Sequence, residues 1–164
     1  MISSKMESAL NAQINAELWS AYLYLSMSLY ADKIGRPGIA RWFYQQNLEE
    51  QDHARRLQKF MLDRDVPVTL QPIGAVATAW NSVQEMFEQT LEHEQNVTSM
   101  IHHLVTLARE EKDYAAEERL WWFVKEQVEE EATAKGIVMD IQLADNDPGA
   151  LAAIDARLGE RKAS

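Results

Sequence analysis

Four stretches of helical periodicity, joined by links that run short, long and short, constrain this chain more than any other feature. Apolar residues recur at three- and four-residue intervals from about Lys5 to Asp32, Ile39 to Asp65, Ser82 to Lys112 and Tyr114 to Leu143. The first stretch stops before Gly35-Arg36-Pro37-Gly38 and the second at Val66-Pro67. Ser82-x-x-Glu85 reads as a capping box at the head of the third. Asp147-Pro148, an N-cap followed by proline at the first helical position, opens a short fifth helix that reaches about Leu158. The link from Val66 to Asn81 holds Pro67, Pro72 and Gly74, carries no helical stripe, and is long for a connection inside a bundle. These lengths predict two antiparallel hairpins joined by one long crossover. The expected fold is all-α, a four-helix bundle with a short C-terminal fifth helix, in one domain over residues 1–164.

Each apolar stripe has a polar residue at its centre. On a helical wheel Glu17 falls among Leu10, Ile14, Ala21, Tyr24 and Leu25. Glu50 falls among Ile39, Phe43, Ala54, Leu57 and Met61, with His53 one turn on and toward one edge. Glu94 is central among Val83, Phe87, Leu91, Ile101 and Val105. Gln127 is central among Leu120, Phe123, Val124, Ala134 and Val138, with Glu130 one turn on. The spacing repeats, since Glu17 to Glu50 and Glu94 to Gln127 are both 33 residues. The two hairpins therefore deliver polar groups to one level of the bundle.

Burying an isolated carboxylate costs several kcal/mol even after relaxation, roughly in the range known for unpaired charges. Four close together would repel and take up protons. On any one helix an arginine partner explains a central glutamate equally well. Four in register, with a Glu-x-x-His among them, point instead to two divalent cations, whose charge Glu17, Glu50, Glu94 and Glu130 would balance. Carboxylates with one imidazole suit iron or manganese better than zinc or copper.

Composition narrows the function further. The net charge of −10 repels nucleic acid and anionic membranes and attracts cations. Cysteine is absent, which removes disulfides, Fe–S clusters and thiolate zinc sites. The N-terminus has no apolar signal core and no apolar run approaches the ~20 residues that span a bilayer, so a cytoplasmic location is expected. His93 and His103 lie off the stripe and His102 at its edge, which reads as surface or interface histidine. Glu131 reads as part of a solvated face. Five tryptophans exceed the needs of one bundle core, and some are expected at subunit contacts.

Glu17, the run Glu49-Glu50-Gln51-Asp52-His53, Glu94, and the run Glu126-Gln127-Val128-Glu129-Glu130 together resemble the ligand set of bacterial non-haem ferritins. The resemblance extends over nearly the whole chain, including the crossover and the fifth helix. It implies that Glu17 and His53 bind one iron, that Glu50 bridges, and that Glu94 and Glu130 bind a second, with Gln127 beside the pair. Glu49, Glu126 and Glu129, with Glu130, match a third iron position in this group, and on the wheel Glu49 and Glu126 turn outward. Tyr24 matches the tyrosine near the di-iron site, although a core tyrosine explains it equally well. Trp122 also matches a family residue.

What the resemblance implies is oxidation of Fe(II) by O2 or H2O2 and storage as ferric oxide in a shell of twenty-four subunits. Haem-binding relatives carry methionine after the bridging glutamate and a second Glu-x-x-His. This chain has Gln51 and Gln127-x-x-Glu130, so no haem is expected. On the residues alone two other readings stay open: another di-metal carboxylate protein on the same bundle, and a helical interaction protein whose acids pair with arginines.

Overall fold

The computed structural model describes residues 1–163. They form α1 (Ser4–Lys33), α2 (Pro37–Leu62), α3 (Val83–Glu110), α4 (Tyr114–Ala144) and α5 (Pro148–Leu158), with no strand among them. Side-chain caps start three of the long helices and α5. Ser3 accepts from Met6 N–H, Ser82 from Glu85 N–H, Asp113 from Ala116 N–H and Asp147 from Ala150 N–H. The expected capping box forms with one change, since Glu85 reaches back to Asn81 N–H rather than to Ser82. Where α2 begins, Pro37 sits in the first turn, where its missing N–H costs nothing.

Three helices stop in the same way. Arg36 N–H bonds Ala31 C=O, Val66 N–H bonds Met61 C=O, and Asp113 N–H bonds Ala108 C=O, each across a left-handed residue. That residue is Gly35 after α1, but Asp65 after α2 and Lys112 after α3. Glycine advertises the first stop in the sequence. The other two carry no such signal, so α2 ends at Leu62, three residues before the expected Asp65, and α3 at Glu110, two before Lys112. Val66 is buried in the same apolar cluster as Met61, the usual hydrophobic contact of this motif.

α1 pairs with α2 and α3 with α4 as tight hairpins. The crossover runs the length of α1. Asn11 accepts from Thr69 N–H, Trp19 donates to Ala75 C=O, Ser26 to Ala77 C=O and Tyr30 to Trp80 C=O. The chain therefore returns to the far end before α3 begins, which makes α3 parallel to α2 and antiparallel to α1. α5 docks on the start of α2, where Asp155 accepts from Ile39 N–H. Gly38 permits this contact, because a Cβ there would lie 1.8 Å from the Asp155 carbonyl oxygen.

The core falls into two apolar blocks. One takes Leu10 and Ile14 of α1, Ala54 to Met61 of α2, Val97 to Ala108 of α3 and Ala116 to Phe123 of α4. The other takes Leu23 to Ala31, Ile39 to Phe43, Met86 and Phe87, and Ile137 to Ala144, closed by Ile154 and Leu158 of α5. Between them lies a layer of buried polar side chains.

Candidate metal centre

The layer draws on all four long helices. α1 supplies Gln13, Glu17, Ser20 and Tyr24; α2 supplies Gln46, Asn47, Glu50 and His53; α3 supplies Thr90 and Glu94; α4 supplies Gln127 and Glu130. None of these side chains is more than 8% exposed. The stripe argument places them here, since each lies on its helix between positions that feed the two apolar blocks.

Two groups of ligand-type atoms converge, and His53 belongs to both. Glu17, Glu50 and His53 present atoms within 4.8 Å of one another, as do His53, Glu126 and Glu130. His53 Nδ1 is 3.2 Å from Glu50 Oε2 and 3.9 Å from Glu17 Oε2, while Nε2 is 4.0 Å from Glu126 Oε1. Gln13 donates to Glu17 Oε1 at 2.8 Å, and Gln46 donates to Glu130 Oε2 at 2.7 Å. The other oxygen of each of these carboxylates, Glu17 Oε2 and Glu130 Oε1, is buried with no hydrogen-bond partner. Buried carboxylate oxygens rarely go unsatisfied. Two in one layer beside an imidazole suit a hard cation that accepts oxygen donors.

Glu94 stands apart from both groups. Tyr24 Oη donates to its Oε1, and Gln127 Nε2 donates to its Oε2 at 3.1 Å and to its backbone carbonyl at 3.1 Å. Tyr24 is fully buried, with Phe43 stacked against its ring and His93 at its edge.

Electrostatics records the crowding. Burial pushes the Glu50 carboxyl well above its ordinary value, and Glu94, Glu17 and Glu130 push it the same way. Burial raises Glu94 to about 7 against the pull of its Tyr24 and Gln127 hydrogen bonds. Burial and Glu94 raise Glu130 to about 8, with Gln46 and Arg161 opposing. Burial and the surrounding acids hold the Tyr24 hydroxyl well above 10. Without a cation the layer cannot be fully ionised at neutral pH. A divalent ion inverts that preference.

The remaining expected residues sit on the outer side of His53. Burial, Glu129 and Glu49 raise Glu126 despite His53. Glu129 is exposed and belongs to neither converging group. Glu49 is bonded by Arg161 at 2.6 Å. A pocket of about 210 Å³ lies here, lined by Glu49, Asp52, His53, Trp122, Glu126 and Ala163 among others.

Two sequence readings need correction. His93 is half-buried rather than exposed: it lies 2.7 Å from Ser20 Oγ and against Trp19 and Tyr24, and burial lowers it to about 4. The wheel treated α3 as having one buried face, but α1 also covers its flank. Glu131 is half-buried and close enough to Glu94 to raise it. His102 and His103 are exposed, as expected. Sequence reasoning also missed Gln13 and Gln46, although each lies one turn before a central glutamate. Arg161 lies beyond the last helix, where no periodicity could place it.

A ferritin-like domain model matches residues 7–144. The bacterial non-heme ferritin of Bacteroides fragilis is 45% identical over 161 residues, covering 98% of this chain and all of the relative. That of Staphylococcus aureus is 35% identical over 98% of this chain and 97% of the relative.

The chain belongs to the ferritin family.

Among solved structures, an open-pore ferritin from the hyperthermophilic archaeon Archaeoglobus fulgidus superposes with a TM-score of 0.98, at 46% identity over 99% of this chain and 100% of that one. The all-α bundle with its crossover and fifth helix is thus the ferritin fold, and the polar layer lies within the part of the chain that the family model spans. No described helix of this ferritin is long and apolar enough to cross a membrane.

Proposed function

We propose that this ferritin stores iron by oxidising Fe(II) at the polar layer, and that its subunits close into a cage of twenty-four. The observation that carries the reading is the pair of ligand groups sharing His53, with buried Glu17 and Glu130 oxygens that no protein donor satisfies. Glu17 and His53 take the first Fe(II), Glu50 bridges, and Glu94 and Glu130 take the second. Gln127 and Tyr24 hold Glu94 in place. Each iron gives one electron, so the pair reduces O2 to H2O2, or H2O2 to two waters, with two protons taken up in either case. Carboxylates then stabilise the more highly charged Fe(III) ions. Tyr24, hydrogen-bonded to Glu94, supplies the second electron when only one Fe(II) is present, its phenolic proton passing to Glu94. Glu49, Glu126 and Glu129, with Glu130, form a third position on the way out. Gln51 after the bridging glutamate supports a subunit without haem.

Exposed Leu29, Leu70 and Leu143 are large apolar side chains that an assembly would cover, and α5 would sit near the fourfold axes. Twenty-four copies of an 18.8 kDa chain amount to about 450 kDa. Stopped-flow mixing of the purified protein with Fe(II), first with O2 and then with H2O2, with particle mass measured on the same sample, tests both parts. Rapid oxidation by a particle of that mass is expected. Oxidation no faster than in buffer, or a subunit that stays small, overturns the corresponding part.

A further inference from the structure

Residues 159–163, after α5, turn back onto the outer face of α2. There Arg161 makes a set of contacts that its distance along the chain hides. Its Nη2 donates to Glu49 Oε2 at 2.6 Å, and its Nη1 donates to Gln46 Oε1 at 2.9 Å and to the Trp42 carbonyl at 3.2 Å. The guanidinium carbon lies 4.7 Å from the Trp42 ring centre. Arg161 and Glu49 are both less than one-fifth exposed, so this is not a loose surface pair. A planar fork that bonds two groups at once and stacks on an aromatic is a geometry lysine cannot reproduce.

The contact with Gln46 reaches further. A guanidinium only donates, so Gln46 must present its carbonyl oxygen to Arg161 and its NH2 inward, to the polar layer. That NH2 is the group that bonds Glu130 at 2.7 Å. Arg161 therefore acts on Glu49 directly and on Glu130 through one amide. Ala163, two residues on, forms part of the wall of the pocket that also exposes His53 and Glu126. The arginine that lines that pocket, Arg56, is held on its wall, bonding Asp52 at 2.7 Å and stacking on Trp122 at 4.1 Å, and does not reach Glu49.

We propose that Arg161 is a positioning residue whose guanidinium acts as a tethered cation, competing with a metal ion for Glu49 and fixing Gln46 against Glu130, so that the outer pocket binds metal weakly and passes it on. The proposal rests on the reading of Glu49, Glu126 and Glu129 as the outward iron position. Arginine keeps its charge at every physiological pH, so the competition is permanent and yields only to another cation. A divalent ion approaching Glu49 meets a positive charge in a half-buried setting, where repulsion is poorly screened.

Metal binding by the assembled, metal-free protein tests this without any redox chemistry. Mn(II) is added anaerobically and the free ion is counted by its room-temperature EPR signal. Wild type, Arg161→Ala, Arg161→Lys, and Arg161→Ala combined with Glu49→Gln are compared. All four are expected to retain the tightly bound ions at the four-helix centre in the same number, because none of its ligands is changed, with one ion held slightly less tightly in the Arg161 variants, where Gln46 no longer fixes Glu130. Arg161→Ala should bind one further Mn(II) per subunit about tenfold more tightly than wild type. Arg161→Lys, which keeps the charge but cannot bond Glu49 and Gln46 together, should fall between. The double variant should return to weak binding.

An Arg161→Ala titration that overlays wild type overturns the proposal, and so does an additional ion that persists in the double variant. If wild type binds no Mn(II) tightly at all, the metal-centre reading itself falls and takes this one with it.

Discussion

The two apolar blocks and the polar layer between them are built from the same helices by opposite rules. In the blocks, side chains such as Leu10, Phe87 and Ile101 are fully buried among other apolar groups, and every contact favours folding. In the layer, four glutamates are buried as well; burial and their neighbours raise the pKa of Glu50, Glu94 and Glu130, and one oxygen each of Glu17 and Glu130 has no partner. The layer works against folding until a cation arrives, and the blocks on either side are what make it tolerable. Stability and chemistry are thus assigned to different levels of one bundle.

The sharpest way to break this comparison is to remove ligands from the layer. Glu50→Ala combined with His53→Ala should slow Fe(II) oxidation by at least about a hundredfold in a stopped-flow assay, because the bridging and shared ligands both go. The cage should still elute at its usual size, and the metal-free melting temperature should hold or rise. A double variant that melts far below wild type would mean the layer stabilises the fold after all.

The converse substitution belongs in a block. Leu10→Ala should cost about 2–5 kcal/mol in denaturant unfolding of the metal-free protein, through lost burial and a residual cavity. Oxidation per folded subunit should be unchanged, since Leu10 lies two turns from Glu17.

The smallest expected effect is a pH dependence. Burial holds Glu94 at about 7 and Glu130 at about 8, both above the ordinary 4.5. Such groups contribute stability fully below about pH 4.5 and lose it as pH rises through the folded values. Metal-free protein should therefore weaken by about 2–4 kcal/mol between pH 5 and 8. Divalent cation should flatten that slope. Melting curves across this range, with and without Mn(II), measure it, and a flat metal-free profile would refute the crowded-carboxylate account.

Much of this was legible in the sequence, for reasons of period and length. A 3.6-residue repeat reports one buried face, so the helices and the polar residues at the stripe centres could be read directly. Link lengths gave the pairing and the parallel crossover. What periodicity cannot report is a second buried flank, which is why His93 was misplaced. Nor can it report helix stops made by left-handed Asp65 and Lys112, where glycine would have given the signal. Contacts across a hundred residues, such as Arg161 with Glu49, leave no local trace at all.

The crossover carries a consequence of its own. It is pinned along α1, so Glu17, Glu50 and His53 belong to one hairpin while Glu94, Gln127 and Glu130 belong to the other. Neither hairpin can complete a two-ion cluster by itself. Any ion that both halves grip favours their association by mass action, so the protein's cargo doubles as a clamp between its halves. Stripping ions from the layer should therefore loosen the seam between the hairpins before it disturbs either one.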